Sequence, residues 1–132
     1  KGVVLKEKEF RSSLKIFDFE KYRDCIVAIY CGVETIIPMW AYMLVCSYLK
    51  PFSSYIYFGN EKLALQKAIL KNINSIDVDF YKNKKVIIKG CSGIALSEAL
   101  YVAVTQKLQN HVNSLMFGEA CSAVPVYKNK KK

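Results

Sequence analysis

The stretch CIVAIYCGVETIIPMWAYMLVCSYLKPF, residues 25–52, decides the fold class. Its first seven residues are continuously apolar and rich in β-branched side chains, and Gly32 ends them, which predicts a central strand buried on both faces. Thr35 can then cap a helix of about 14 residues that tolerates Pro38 in its first turn and stops at Pro51. A buried strand followed directly by a helix is the opening of a parallel α/β unit.

The flanking sequence continues the alternation. Tyr55 to Phe58, closed by Gly59, reads as a second strand, and Asn60 can cap a helix over EKLALQKAILKNIN, residues 61–74. On that helix Leu63, Ala64, Ala68, Ile69 and Ile73 share one face, the pattern of a layer packed on a sheet. Residues 75–84 form a polar connection. KVIIK, residues 85–89, is a third strand closed by GCSG, Ser97 caps a helix running to about Val112, and Ser114 to Phe117 is a fourth strand ending at Gly118. Val124 to Tyr127 can add a short edge strand, and Lys6 to Lys21 a helix or packed arm. No internal repeat or flexible linker is evident. The expected architecture is α/β: three layers, a mainly parallel four-stranded sheet with helices on both faces, in a flavodoxin-like order with the first strand between the second and third. The expected boundaries are an N-terminal arm over 1–24, a single domain over 25–127 and a disordered basic tail over 128–132. The chain does not begin with Met and is expected to be truncated at that end.

Composition bounds the function classes. The chain has 132 residues, 52% of them hydrophobic and 23% charged, which excludes disordered and fibrous classes and suits one ordinary domain. The formal net charge is +9, but Lys128, Lys130, Lys131 and Lys132 supply four of those charges in what reads as a solvated tail. With only Arg11 and Arg23 as arginines and no aromatics interleaved with the tail lysines, the sequence argues against a nucleic-acid partner. The longest apolar run, Ile36 to Leu49, is too short for a transmembrane segment of about 20 residues, and no signal peptide is evident. A cytoplasmic, reducing location is expected, so the five cysteines read as thiols.

In parallel α/β sheets ligands collect beyond the carboxyl ends of the strands. That rule selects Cys31 after the first strand, Gly90, Cys91, Ser92 and Gly93 after the third, and Glu119 and Cys121 after the fourth. Cys25 and Cys46 are placed as small apolar fillers. Three readings of the selected thiols stand side by side: chance burial of small residues, a soft-ligand metal or iron–sulfur site at Cys31, Cys91 and Cys121, and a reactive thiol at Cys91 activated by loop amides and the next helix dipole. Gly90, Ser92, Gly93 and Glu119 would line a ligand there. The loop lacks the arginine of cysteine phosphatases, and neither a dinucleotide fingerprint nor a P-loop occurs. His111 is expected at the opposite end of the sheet, away from these cysteines. Trp40, with Met39, Tyr42 and Met43, is read as core or as the wall of a pocket or subunit contact, and nine tyrosines keep a homodimer open.

LKEKEFR at Leu5 to Arg11, ETIIPMWAYML at Glu34 to Leu44, KGCS at Lys89 to Ser92 and FGEACSAVPVYK at Phe117 to Lys128 together resemble the bacterial family Domain of Unknown Function 2480, typical of Bacteroidetes. The resemblance covers nearly the whole chain. It implies a small cytoplasmic protein whose genes neighbour those for iron–sulfur cluster assembly, and it carries over no catalytic residue. The leading functional expectation is therefore an accessory factor in thiol or iron–sulfur metabolism, holding a metal, cluster or persulfide on these cysteines with iron–sulfur assembly proteins as partners. The alternative is a non-enzymatic interaction or scaffold protein that uses the EACS and MWAYML segments as a partner or dimer surface.

Overall fold

The computed structural model describes residues 3–90, 93–94 and 96–130. The elements in chain order are β1 (Val3–Val4), α1 (Glu7–Ile16), β2 (Ile26–Ile29), β3 (Thr35–Ile36), α2 (Met39–Leu49), β4 (Tyr55–Phe58), α3 (Glu61–Asn74), β5 (Lys85–Ile88), α4 (Glu98–Leu108), β6 (Ser114–Phe117) and β7 (Val124–Lys128). Short 3₁₀ turns at Phe19–Tyr22, Val78–Tyr81 and Ala120–Ser122 precede β2, β5 and β7. The class is mixed α/β. Contacts within the chain divide it into two compact units, Lys1–Ala68 and Ile69–Lys132.

The four expected strands do not form one sheet among the described residues. β2 pairs in parallel with β4, Ile26 opposite Tyr55, and β5 pairs in parallel with β6, Lys85 opposite Ser114. The flavodoxin-like order is therefore corrected: the first strand has one neighbour in its sheet, the second. The physical reason lies in the crossovers. Each strand pairs with the one reached across a single helix, β2 with β4 across α2 and β5 with β6 across α4. β7 adds antiparallel to β6, and β1 pairs in parallel with β3.

The helix after β2 starts later than its sequence predicts. Thr35 and Ile36 pair with Val3 and Val4, and Ile37 precedes Pro38, a position whose backbone is sterically pushed away from the helical region. Pro38 becomes the N-cap and α2 covers Met39–Leu49. Asn60 does cap α3, its Oδ1 accepting from the Leu63 N–H at 2.9 Å. β2 carries one fully buried side chain, Val27, while Ile26 is 45% exposed, so it is not buried on both faces.

A repeat that the sequence hides is plain in the backbone. From Ile26 to Lys85, from Met39 to Glu98 and from Tyr55 to Ser114 the step is 59 residues, so 3₁₀ turn, strand, helix and strand recur at one spacing in each unit. The recurrence extends to single hydrogen bonds. Asp24 N–H donates to Phe52 O and Asn83 N–H to His111 O, and Gly59 N–H donates to Ile29 O as Gly118 N–H does to Ile88 O. Each unit has its own core, built from equivalent positions. Val27, Leu49, Val45, Ile29 and Ile56 pack together in the first, and Val86, Leu108, Val104, Ile88 and Leu115 in the second.

Candidate functional site

Each parallel strand pair opens at its carboxyl end onto two loops. In the first unit these are the Cys31 loop and the Gly59-Asn60 turn. Cys31 is half-buried, and its thiol donates to the Val33 carbonyl at 3.0 Å, which ties the sulfur to its own loop. Trp40 at the start of α2 is taken up by α1: its ring meets that of Phe10 at 6.0 Å, and the Arg11 guanidinium lies 5.3 Å from its centroid. Arg11 is held in turn by Glu7 at 2.8 Å. The indole thus fastens the N-terminal helix to α2. A cavity of about 550 Å³ runs between α1, β2 and α2, lined almost wholly by apolar side chains, with Cys31 and Glu61 at its wall.

In the second unit β5 and β6 open onto the Gly90 loop and the Gly118-Glu119 turn. Cys91 and Ser92, the central expected residues, lie outside the described residues. Their neighbours do not. A Cβ at Gly90 would sit 3.0 Å from the Tyr101 hydroxyl, so this glycine lets α4 close over the strand end. Gly93 holds φ of 81°, the left-handed region that favours glycine. Across the two loops Lys89 Nζ reaches Glu119 Oε1 at 3.4 Å, both side chains largely exposed. Cys121 is exposed in the turn that follows, where Ser122 N–H donates to Glu119 O. Tyr101 meets Phe117 edge-on at 5.7 Å, and the same contact recurs 59 residues earlier between Tyr42 and Phe58 at 5.4 Å.

The structure therefore brings Lys89, Gly90, Glu119 and Tyr101 to one strand end and leaves Cys121 accessible beside them. Lys89 and Tyr101 were not singled out by sequence. The register that sets Ile88 opposite Phe117 is what places Lys89 next to the Glu119 turn, and register is not visible in a single chain. His111 follows α4 at the opposite end, as expected, so the chain's single imidazole is not near this edge. Among the described residues no three of His, Cys, Asp and Glu converge in a way that could hold a metal ion. No helix of the described residues is long and apolar enough to cross a membrane.

A separate apolar surface lies on α2. Met39 and Met43 are 70% and 71% exposed and Phe58 is 62% exposed. A shallow cavity of about 380 Å³ is bounded by Met43, Cys46, Ile56 and Phe58. Compared with known proteins, the chain matches over residues 1–129 the family model described as Protein of unknown function (DUF2480). No curated protein and no solved structure matches it.

Proposed function

We propose that this chain, which belongs to the DUF2480 family of proteins of unknown function, is a non-enzymatic interaction protein whose α2 face is a subunit contact. One observation carries the reading: Met39 and Met43 stand exposed one turn apart on α2, and Met43 shares a shallow apolar cavity with the exposed Phe58 at the end of β4. Large apolar side chains grouped on a surface mark association sites, and flexible methionines adapt to an opposing copy. Sedimentation of the full chain over a range of concentrations tests it. A reversible dimer is expected, and Met43→Asp should leave monomer with unchanged circular dichroism. Wild type that stays monomeric at every concentration overturns it.

A second reading rests on a different observation, the exposed Cys121 thiol beside the Lys89–Glu119 pair. Here the protein is a cytoplasmic accessory factor in thiol or iron–sulfur metabolism, with Cys121, Cys91 and Cys31 as its sulfur donors and iron–sulfur assembly proteins as partners. An exposed thiolate can attack the outer sulfur of a persulfide donor, forming a cysteine persulfide as the donor's S–S bond breaks and its thiolate leaves. Anaerobic incubation with iron and sulfide, or with a persulfide donor, followed by absorption spectra and mass analysis of wild type, Cys91→Ser and Cys121→Ser, separates the cases. Bound sulfur lost in either variant supports this reading. Neither metal nor persulfide in wild type overturns it.

A further inference from the structure

The second unit ends, opposite the thiols, in a concentration of lysines that the chain order disperses. β7 runs antiparallel to β6 and finishes with Lys128 opposite Ser114, which is itself opposite Lys85. Asn113 N–H donates to Lys84 O at 2.8 Å and Asn129 N–H to Asn113 O at 2.7 Å. Lys84 and Lys85 at the start of β5 and Lys128 at the end of β7 thus flank Asn113 and Ser114 of the middle strand, with Lys82 and Lys130 just beyond. At a strand spacing of about 4.8 Å the outer two strands are about 10 Å apart, about one Debye length at 0.1 M salt. All five lysines are exposed, and none joins the ion pairs of the described residues, which link Glu7 to Arg11, Glu20 to Arg23 and Lys89 to Glu119. The acids at this end are Asp77 and Asp79, and Asp77 accepts from the Asp79 N–H. Glu98 and Glu119 belong to the other end.

The internal repeat supplies a control. Fifty-nine residues earlier the same backbone carries Cys25 for Lys84, Ile26 for Lys85 and Phe52 for His111. The scaffold therefore does not require lysine at positions 84 and 85, while the first unit keeps Arg23 at the place of Lys82 and has Lys21 at the place of Phe80. Phe80, 61% exposed, stands among the lysines with Lys84 Nζ 4.0 Å from its ring centroid.

We infer that this lysine-rich end of the second unit binds single-stranded nucleic acid, the lysines on successive phosphates and Phe80 as a stacking platform for a base. Backbone cations with an aromatic face are the parts that sequence-tolerant single-strand binding uses. A membrane surface is disfavoured because the edge offers one exposed aromatic among exposed amides, Asn83 and Asn110, rather than an apolar face. Lys128, assigned by its position to a free tail, is a strand residue here, and that is what assembles the cluster.

Fluorescence anisotropy of the full chain with a labelled oligouridylate tests it. Saturable binding is expected to weaken about 50-fold from 50 to 200 mM salt, from a log–log slope of about −0.7 for each of about four phosphates. Lys84→Ala/Lys85→Ala/Lys128→Ala should weaken it by at least about tenfold and flatten the slope. Lys8→Ala/Lys15→Ala/Lys62→Ala, an equal charge loss in the first unit, should not. Phe80→Ala should weaken binding at an unchanged slope. No saturable binding by wild type, equal loss in the first-unit variant, or displacement of the oligonucleotide by phosphatidylserine vesicles overturns the inference.

Discussion

The backbone N–H of Asn83 donates to the carbonyl oxygen of His111 at 2.8 Å, and Asn83 adopts φ of 62° to do so. Asp24 repeats this with Phe52 at 2.9 Å and φ of 61°. Left-handed backbone costs about 1–2 kcal/mol for most side chains, less for Asn and Asp, and nothing extra for glycine. Asn83→Gly and Asp24→Gly are expected to leave urea midpoints nearly unchanged, whereas Asn83→Val and Asp24→Val should each lose about 1–2 kcal/mol. Equal losses for glycine and valine would show that the side chain, not the dihedral, matters.

Two buried serines predict opposite outcomes. Ser53 Oγ donates to Cys25 O at 2.6 Å and accepts from Tyr55 N–H at 3.0 Å, so it joins the starts of β2 and β4. Ser114 Oγ is buried with no partner among the described residues. Ser53→Ala removes both of these hydrogen bonds and should cost about 1–3 kcal/mol, while Ser114→Ala should be neutral or stabilising by up to about 1 kcal/mol. Denaturation of the two variants side by side reads the sign directly.

The strand-ending glycines differ in what surrounds them. Gly59 has φ of 130° and a Cβ there would lie 2.5 Å from Leu63 Cδ2, while at Gly118, φ 111°, the nearest atom is 3.9 Å away. Both alanine variants carry backbone strain of about 1–3 kcal/mol, and Gly59→Ala must also displace Leu63. Gly59→Ala is expected to lower the melting temperature further than Gly118→Ala. The reverse order would place the strain elsewhere than at Leu63.

Elements were legible where local chemistry decides them: the strands at Tyr55–Phe58 and Ser114–Phe117 and the Asn60 cap follow from apolar runs and a side-chain oxygen. Pairing was not, because strand order and register depend on distant residues. The repeat is hidden in the sequence because few side chains are shared across the 59-residue step. Tyr22 and Tyr81, Val45 and Val104, Leu49 and Leu108, and Phe58-Gly59 and Phe117-Gly118 correspond, while the surface between them has diverged. At the candidate site the same rule held: the topology argument selected Glu119 and Cys121, but their partner Lys89 required the β5–β6 register.

That exposed partnership predicts a functional probe without structural cost. Lys89 and Glu119 side chains are 57% and 73% exposed, and solvent-screened pairs contribute little. Glu119→Gln should change stability by less than about 0.5 kcal/mol. A change in persulfide loading or in alkylation rate at Cys121 in this variant would then report on the site rather than on the fold. A large loss of stability would show that the pair holds the two loops together.

Tyr57 contributes to the alkaline behaviour of the first unit. Burial raises its phenol above the ordinary value of 10.0, and the neighbouring Tyr55 raises it further. The fold thus favours the neutral phenol. Below about pH 10 folded and unfolded chains are both protonated, and the contribution is fully present. Above it the unfolded chain releases its proton first, so stability is lost as pH rises through the folded value. Tyr57→Phe is expected to flatten this alkaline loss in denaturant titrations. Tyr55→Phe should lower the Tyr57 titration point in ultraviolet difference spectra while keeping part of the shift, because burial is the larger cause. Identical alkaline limbs for wild type and Tyr57→Phe would assign the loss to another group.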